Sequence, residues 1–267
     1  MCRLLAYAGP PLPLDALIDA PEHSLVVQSY QPREMTSGVV NADGHGVAWY
    51  DPARRAAPFV YRSTLPIWND VNFPDLAAYA TSGHVLAYVR SATPGQALDF
   101  SNTQPFVAGE LSFIHNGFIT GFRQVGGGGL HRRLRARLDD ETYAMIHGNT
   151  DSEHLFAWLV QHVRSMGELR AGVEAGLAAL EELAGDTVMS LNFALSDGAT
   201  IVAGRHALGT VPPSLYMLAG HGRFPGATLV TSEPLFDDPA WTACPPNSLT
   251  ILSHAAADRP VVHALAA

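Results

Sequence analysis

The chain has 267 residues, 47% of them hydrophobic and 15% charged, so a sizeable core is expected and a disordered chain is excluded. A formal net charge of -9 excludes nucleic acid as the principal partner, because phosphate binding needs a basic face. No apolar run approaches the ~18 residues of a membrane span, and the segment before Pro10 lacks a signal-peptide pattern. Two cysteines, Cys2 and Cys244, are too few for a disulfide framework, so a reduced, cytoplasmic setting is expected and Cys244 reads as structural.

In chain order, the first half reads as short β runs broken by turn chemistry. Leu25-Val26-Val27 is the first such run, followed by a polar stretch from Gln28 to Asn41. Asp43-Gly44-His45-Gly46 leads into Val47-Ala48-Trp49-Tyr50, and Asp51-Pro52 closes that strand. Val85 to Val89 suits a buried strand, and Leu111 to Ile119 alternates around Asn116-Gly117. Gly126 to Gly129 mark a flexible loop. The basic stretch His131 to Arg137, with Asp139, Asp140 and Glu141 directly after it, reads as a solvated helical face.

Two periodic helices follow. Leu155, Phe156, Leu159, Val160, Val163 and Met166 share a face behind the N-cap candidates Thr150-Asp151-Ser152. Leu169, Val173, Leu177, Leu180 and Leu183 form the second, ending near Gly185. Strands are expected again at 188–195, 200–203, 214–218, 228–231 and 249–252, with a hairpin turn at Ser196-Asp197-Gly198. Strands, two consecutive helices and strands again predict a layered α+β architecture in a single domain, 1–267.

Four short motifs carry chemistry, and each has two readings. Loss of Met1 would give Cys2 a free α-amine, placing a thiol (pKa roughly 8.5) beside a base (roughly 7.7 to 8.0); alternatively Cys2 is a small apolar residue opening a strand. Arg90, directly after an apolar strand, either clamps a carboxylate or is a surface arginine before a turn. His115-Asn116-Gly117 reads as a type I′ hairpin turn or as an oxyanion hole made by the Asn116 amide and the Gly117 N–H. Asp151 either supports the helix dipole or meets a substrate ammonium group. The twelve histidines show no metal-binding spacing, and Asp43-Gly-His-Gly46 precedes a strand rather than opening a helix, so no metal and no cofactor are expected.

The ordered set Cys2-Arg-Leu-Leu5, Asp43-Gly-His-Gly46, Arg90-x-Ala-Thr-x-Gly95, His115-Asn-Gly117, Thr150-Asp-Ser-Glu153 and Thr231-Ser-Glu-Pro-Leu235 resembles the class II glutamine amidotransferase domains, which are N-terminal nucleophile (Ntn) hydrolases. The resemblance implies a four-layer αββα sandwich of two antiparallel sheets. It also implies that Cys2 is the nucleophile, Asn116 and Gly117 the oxyanion hole, Arg90 the α-carboxylate site and Asp151 the α-ammonium site of a glutamyl group, with Thr93 adding a polar contact. Ser91 and Pro94 depart from the Trp and His common in the family.

Pro32-Arg-Glu-Met35, Val39-Val-Asn-Ala-Asp-Gly44 and Ser63-Thr-Leu-Pro-Ile-Trp-Asn-Asp70 resemble the subgroup of γ-glutamyl hydrolases that serve ergothioneine biosynthesis, which implies a substrate with a trimethylammonium group. Tyr61 and Trp68 lie in the segment that distinguishes this subgroup; core packing is the expected role for each, with a cation–π contact to the trimethylammonium group as the alternative. The partner expected is a small γ-glutamyl molecule; whether the chain forms a homo-oligomer stays open. Two further readings are a glutaminase subunit that delivers ammonia to a partner chain and a non-catalytic glutamyl-binding module.

Overall fold

Leu4-Leu5-Ala6-Tyr7-Ala8 shows how the layers are built. Successive side chains of a strand point to opposite faces. Leu5 and Tyr7 join a core with Leu14, Leu17, Leu25 and Phe73, whereas Leu4, Ala6 and Ala8 join another with Leu86, Ile114, Ala194 and Ala203. Both faces of this strand are buried, so its sequence is a continuous apolar run rather than an alternation.

A computed structural model describes residues 1–93, 96–123, 129–253 and 258–265. Pro94, Gly95 and residues 126–128 of the expected glycine loop lie outside the described residues. The strands are β1 (Arg3–Pro13), β2 (His45–Asp51), β3 (Arg55–Ser63), β4 (Thr81–Val89), β5 (Phe106–Ala108), β6 (Leu111–Ile119), β7 (Met189–Ser196), β8 (Thr200–Leu208), β9 (Tyr216–Ala219), β10 (Thr228–Thr231), β11 (Thr242–Ala243), β12 (Ser248–Ser253) and β13 (Val261–Ala264). The helices are α1 (Asp15–Ile18), α2 (Leu25–Tyr30), α3 (Phe73–Tyr79), α4 (Leu130–Arg135), α5 (Asp140–Ala144), α6 (Asp151–Met166) and α7 (Leu169–Ala184).

Among the described residues, one sheet runs β11-β9-β10-β1-β4-β2-β3 and the other β13-β12-β8-β7-β6-β5. The strand pairings of both are antiparallel. Helices α1 to α3 cover the outer face of the first sheet, and α6 and α7 cover the second through Leu155, Leu159, Leu177 and Leu180 against Phe113, Leu191 and Phe193. Three cores in series therefore separate four layers, the αββα sandwich expected from the sequence. The middle core is lined by many small side chains, including Ala6, Ala8, Ala194 and Ala203.

The two long helices match their expected spans, with Thr150 capping α6 through its side chain and Gly167 closing it at φ 68°. The basic stretch forms α4 with Arg132 and Arg133 exposed. Two expectations fail. Leu25-Val26-Val27 opens α2 rather than a strand, because Ser24 accepts a hydrogen bond from the Val27 N–H and caps a helical turn. Asn116-Gly117 is not a turn: it lies inside β6, paired residue for residue with β7 from Ser112 to Ile119.

Candidate active site

The middle core opens at the start of β1, and Cys2 sits there, partly buried against Leu4, Tyr88 and Ile114 of the same cluster. Its sulfur accepts a hydrogen bond from the Tyr88 hydroxyl at 2.8 Å and one from the Ser91 N–H at 3.4 Å. Tyr88 projects from β4, next to β1 in the sheet. Burial, followed by the charge of Cys2, pushes the Tyr88 hydroxyl well above its usual pKa of 10, so it stays a proton donor at neutral pH. Arg90 and Asp151 also act on that hydroxyl electrostatically, which puts Cys2, Tyr88, Arg90 and Asp151 in one neighbourhood.

Arg90 follows the last residue of β4 and is 2% exposed, so the surface-arginine alternative is excluded. Its guanidinium makes two long contacts, 3.4 Å to the Asp43 carbonyl and 3.3 Å to the Ala97 carbonyl. A guanidinium has five N–H donors, and the remainder suit a carboxylate. Asp43 orders the segment behind it by accepting the Ala92 N–H at 2.7 Å. The adjoining Gly44 has φ +121°, and a side chain there would press on the Ser63 carbonyl, so two sequence motifs meet through a position suited to glycine. Thr93, in the same segment, is exposed, and its carbonyl accepts the Gln96 N–H at 3.0 Å.

Across the middle core, Asn116 lies two residues beyond Ile114 on β6 and so shares its inward face. It is fully buried, and among the described residues neither its carbonyl oxygen nor its amide nitrogen has a hydrogen-bond partner. Gly117 is glycine because a Cβ would run into the Ser190 carbonyl of β7 and into the His115 ring. His115, on the outward face, meets the Ser152 hydroxyl at 2.9 Å and fixes the start of α6 against β6. Asp151 then accepts the Ile119 N–H at 2.9 Å, which places its carboxylate at the end of β6. Glu153 takes the N–H groups of His147 and Gly148, so the rest of that motif is structural.

Residues missed in the sequence complete the site. Tyr88 is one. Asn192 is another, paired with Asn116 and holding the Pro213 and Ser214 carbonyls at 3.1 and 3.0 Å. Glu233 is a third: buried beside Arg3 and His23, it accepts the N–H groups of Arg33 and Glu34 at 2.8 and 3.0 Å. Burial alone would raise its carboxyl, but the His23 bond, those two amides and the Arg3 charge hold it below the usual carboxylate range. The loop it grips continues to Ser37, whose carbonyl accepts the α-amine of Met1. Among the described residues no hydrogen bond or ring contact ties Trp68 to this cluster; it is 40% exposed and meets Tyr30 edge-on at 5.8 Å. Tyr61 donates to Asp70 at 2.7 Å and packs beside His45 and Phe73, the core role. Cys244 is buried in the middle core, as a structural thiol would be.

Comparison with known proteins gives the arrangement its relatives. The chain is 31% identical to a γ-glutamyl-hercynylcysteine sulfoxide hydrolase of Mycolicibacterium smegmatis, over 93% of this chain and 94% of that protein. It is 30% identical to the probable glutamine amidotransferase DUG3 of Saccharomyces cerevisiae, over 95% of this chain and 84% of that one. A glutamine aminotransferase class-II domain protein from Silicibacter pomeroyi superposes with a TM-score of 0.71 at 27% identity, each chain covered completely. The family model for class-II glutamine amidotransferases matches residues 1–213. The chain belongs to the class II glutamine amidotransferases.

Proposed function

We propose that this chain hydrolyses a γ-glutamyl amide through Cys2 once Met1 is removed, and that its substrate is γ-glutamyl-hercynylcysteine sulfoxide. The observation that carries the reading is Asn116, a fully buried amide with no partner on the face that holds Cys2. Such a group costs about 1–3 kcal/mol to leave unpaired, a cost that makes sense where a developing oxyanion will take the N–H.

In this reading Arg90 binds the α-carboxylate and Asp151 the α-ammonium of the glutamyl group, with Thr93 alongside. Fixing that end brings the γ-carbonyl to the Cys2 sulfur. The Cys2 α-amine takes the thiol proton, the thiolate adds to the carbonyl, and Asn116 with the Gly117 N–H receives the oxyanion. The C–N bond then breaks, the amine leaves with the proton from the α-ammonium, and a thioester remains. Water, deprotonated by the same amine, attacks the thioester; glutamate departs and the thiol is restored. Burial depresses the Met1 amine below its usual value. A reduced, cytoplasmic compartment keeps the thiol available.

The choice of leaving amine rests on the mycobacterial relative's name and on the motifs around Pro32 and Ser63. The yeast relative's name favours a second reading, a glutaminase that supplies ammonia to a partner chain. The test is to incubate the protein, with Met1 loss verified by mass spectrometry, with glutamine, γ-glutamylcysteine and the hercynyl sulfoxide conjugate, and to measure released glutamate. The conjugate is expected to turn over best, and Cys2→Ala to abolish turnover. Activity persisting in Cys2→Ala would overturn the reading; glutamine turnover that rises only with a partner chain would select the second.

A further inference from the structure

A cavity of about 680 Å³ lies beside Met1, bounded by Phe118 and Ser190 of the second sheet, by Glu34, and by Arg205 and Tyr216. Neither Arg90 nor Asp151 lines it, so it is separate from the end assigned to the glutamyl group. It is also far larger than ammonia requires.

The register places a charge in this cavity at a fixed offset from the site. Asn116 on β6 pairs with Asn192 on β7, and Asn192 pairs with Arg205 on β8. The three stand abreast, and with adjacent strands about 4.8 Å apart the Arg205 backbone is about 10 Å from that of Asn116. Arg205 shares the inward face of Ile201 and Ala203, which belong to the middle core. Its guanidinium donates to the carbonyls of Pro213 at 2.9 Å, Cys244 at 2.6 Å and Pro212 at 3.5 Å. Those bonds brace the group and engage three of its five N–H donors. The Glu34 carboxylate, which also borders the cavity, is held at 2.8 Å by the Tyr216 hydroxyl, while Glu233 grips the Glu34 backbone. The lining therefore carries one positive and one negative group, both preset by bonds within the fold.

We infer that this cavity receives the leaving amine, and that Arg205 selects an amine carrying its own carboxylate: an α-amino acid or peptide in γ-glutamyl linkage. Glu34 completes the match by attracting a cationic group elsewhere on that amine. The inference rests on the γ-glutamyl hydrolase reading of the same site and adds the chemistry of its second half. Ammonia, the leaving group of glutamine, makes no use of this pair of charged groups.

The experiment compares γ-glutamylglycine with γ-glutamylglycinamide, which differ only in the carboxylate, in the wild-type protein and in Arg205→Gln and Arg205→Lys. A charge-assisted bidentate contact predicts a wild-type kcat/KM about tenfold or more in favour of the free carboxylate. Arg205→Gln brings that ratio to one, and Arg205→Lys keeps part of it. Because the readout is a ratio within each protein, a general loss of activity leaves it legible. Equal wild-type values, or a preference that survives Arg205→Gln, overturn the assignment of Arg205 while the hydrolase reading stands. No turnover of any γ-glutamyl compound by the wild type overturns the reading of the site itself.

Discussion

The hydroxyl of Tyr88 points at the sulfur of Cys2 from 2.8 Å, across the neighbouring strands β1 and β4 of the sheet that carries the N-terminus. A buried phenol held in its protonated form keeps a proton to donate there. Tyr88→Phe keeps the ring that packs in the middle core and deletes the donor. Turnover of a γ-glutamyl substrate is expected to fall about tenfold through kcat, with KM little changed, as for loss of a hydrogen bond to a charged group. Unchanged kcat would remove Tyr88 from the mechanism.

Asn116 and Gly117 separate function from folding. Asn116→Leu removes an amide that has no partner among the described residues, so the thermal midpoint is expected to hold or rise. Over the same substitution kcat is expected to drop by roughly 10²–10³, the usual effect of losing one oxyanion donor. Gly117→Ala behaves in the opposite way: its Cβ meets the β7 backbone at Ser190, and overpacking of this kind costs about 1–3 kcal/mol of stability. Calorimetry and initial rates on the two variants check both halves.

Trp68 tests the leaving amine from another side. Its exposed indole, paired edge-on with Tyr30, is available to a cationic ligand. Trp68→Ala is expected to raise KM for a trimethylammonium-bearing γ-glutamyl substrate about fivefold while sparing glutamine. An equal loss on both substrates would leave Trp68 with a packing role alone.

Acid should weaken the fold through its buried histidines. Burial holds His154 down at about 4, from an ordinary value of 6.5, despite the bond from its ring to the Thr150 carbonyl. Burial likewise lowers His45, His115 and His206. An unfolded chain binds protons on these rings near pH 6.5 and the folded one does not, so the unfolded state takes up more protons as pH falls. Their contribution to stability is complete above pH 6.5 and is lost as pH drops toward the folded value, up to about 3 kcal/mol for His154. Denaturant midpoints measured from pH 7.5 to 4.5 should decline, and His154→Phe should decline less steeply. A flat wild-type profile would contradict the burial of these rings as neutral groups.

Much of this fold was legible because apolar spacing is local. The faces of α6 and α7 and the runs at Val85 and Leu111 follow directly from it. Asn116-Gly117 misled because a two-residue turn signal competes with pairing that only β7, over seventy residues away, supplies. The same glycine answers a different need, close approach to Ser190. At Leu25 three apolar residues fit either element, and the Ser24 cap decided for helix. Tyr88, Asn192 and Arg205 were invisible as site residues because their meaning lies in register across strands distant in the chain. Glu233 was visible only as part of a motif; its grip on the Arg33 and Glu34 amides needed the third dimension.

The Met1 amine tucked under the Ser37 carbonyl has a practical corollary. Residues fused ahead of Met1 would displace the amine from the Ser37 carbonyl, and they would also prevent an aminopeptidase from baring Cys2. A recombinant preparation carrying an affinity handle at that end is therefore expected to be folded but inert. One tagged at the opposite end, or released by a protease whose cut leaves cysteine first, is expected to be active. On the proposed mechanism, assays of this protein are expected to depend on how its first residue was made.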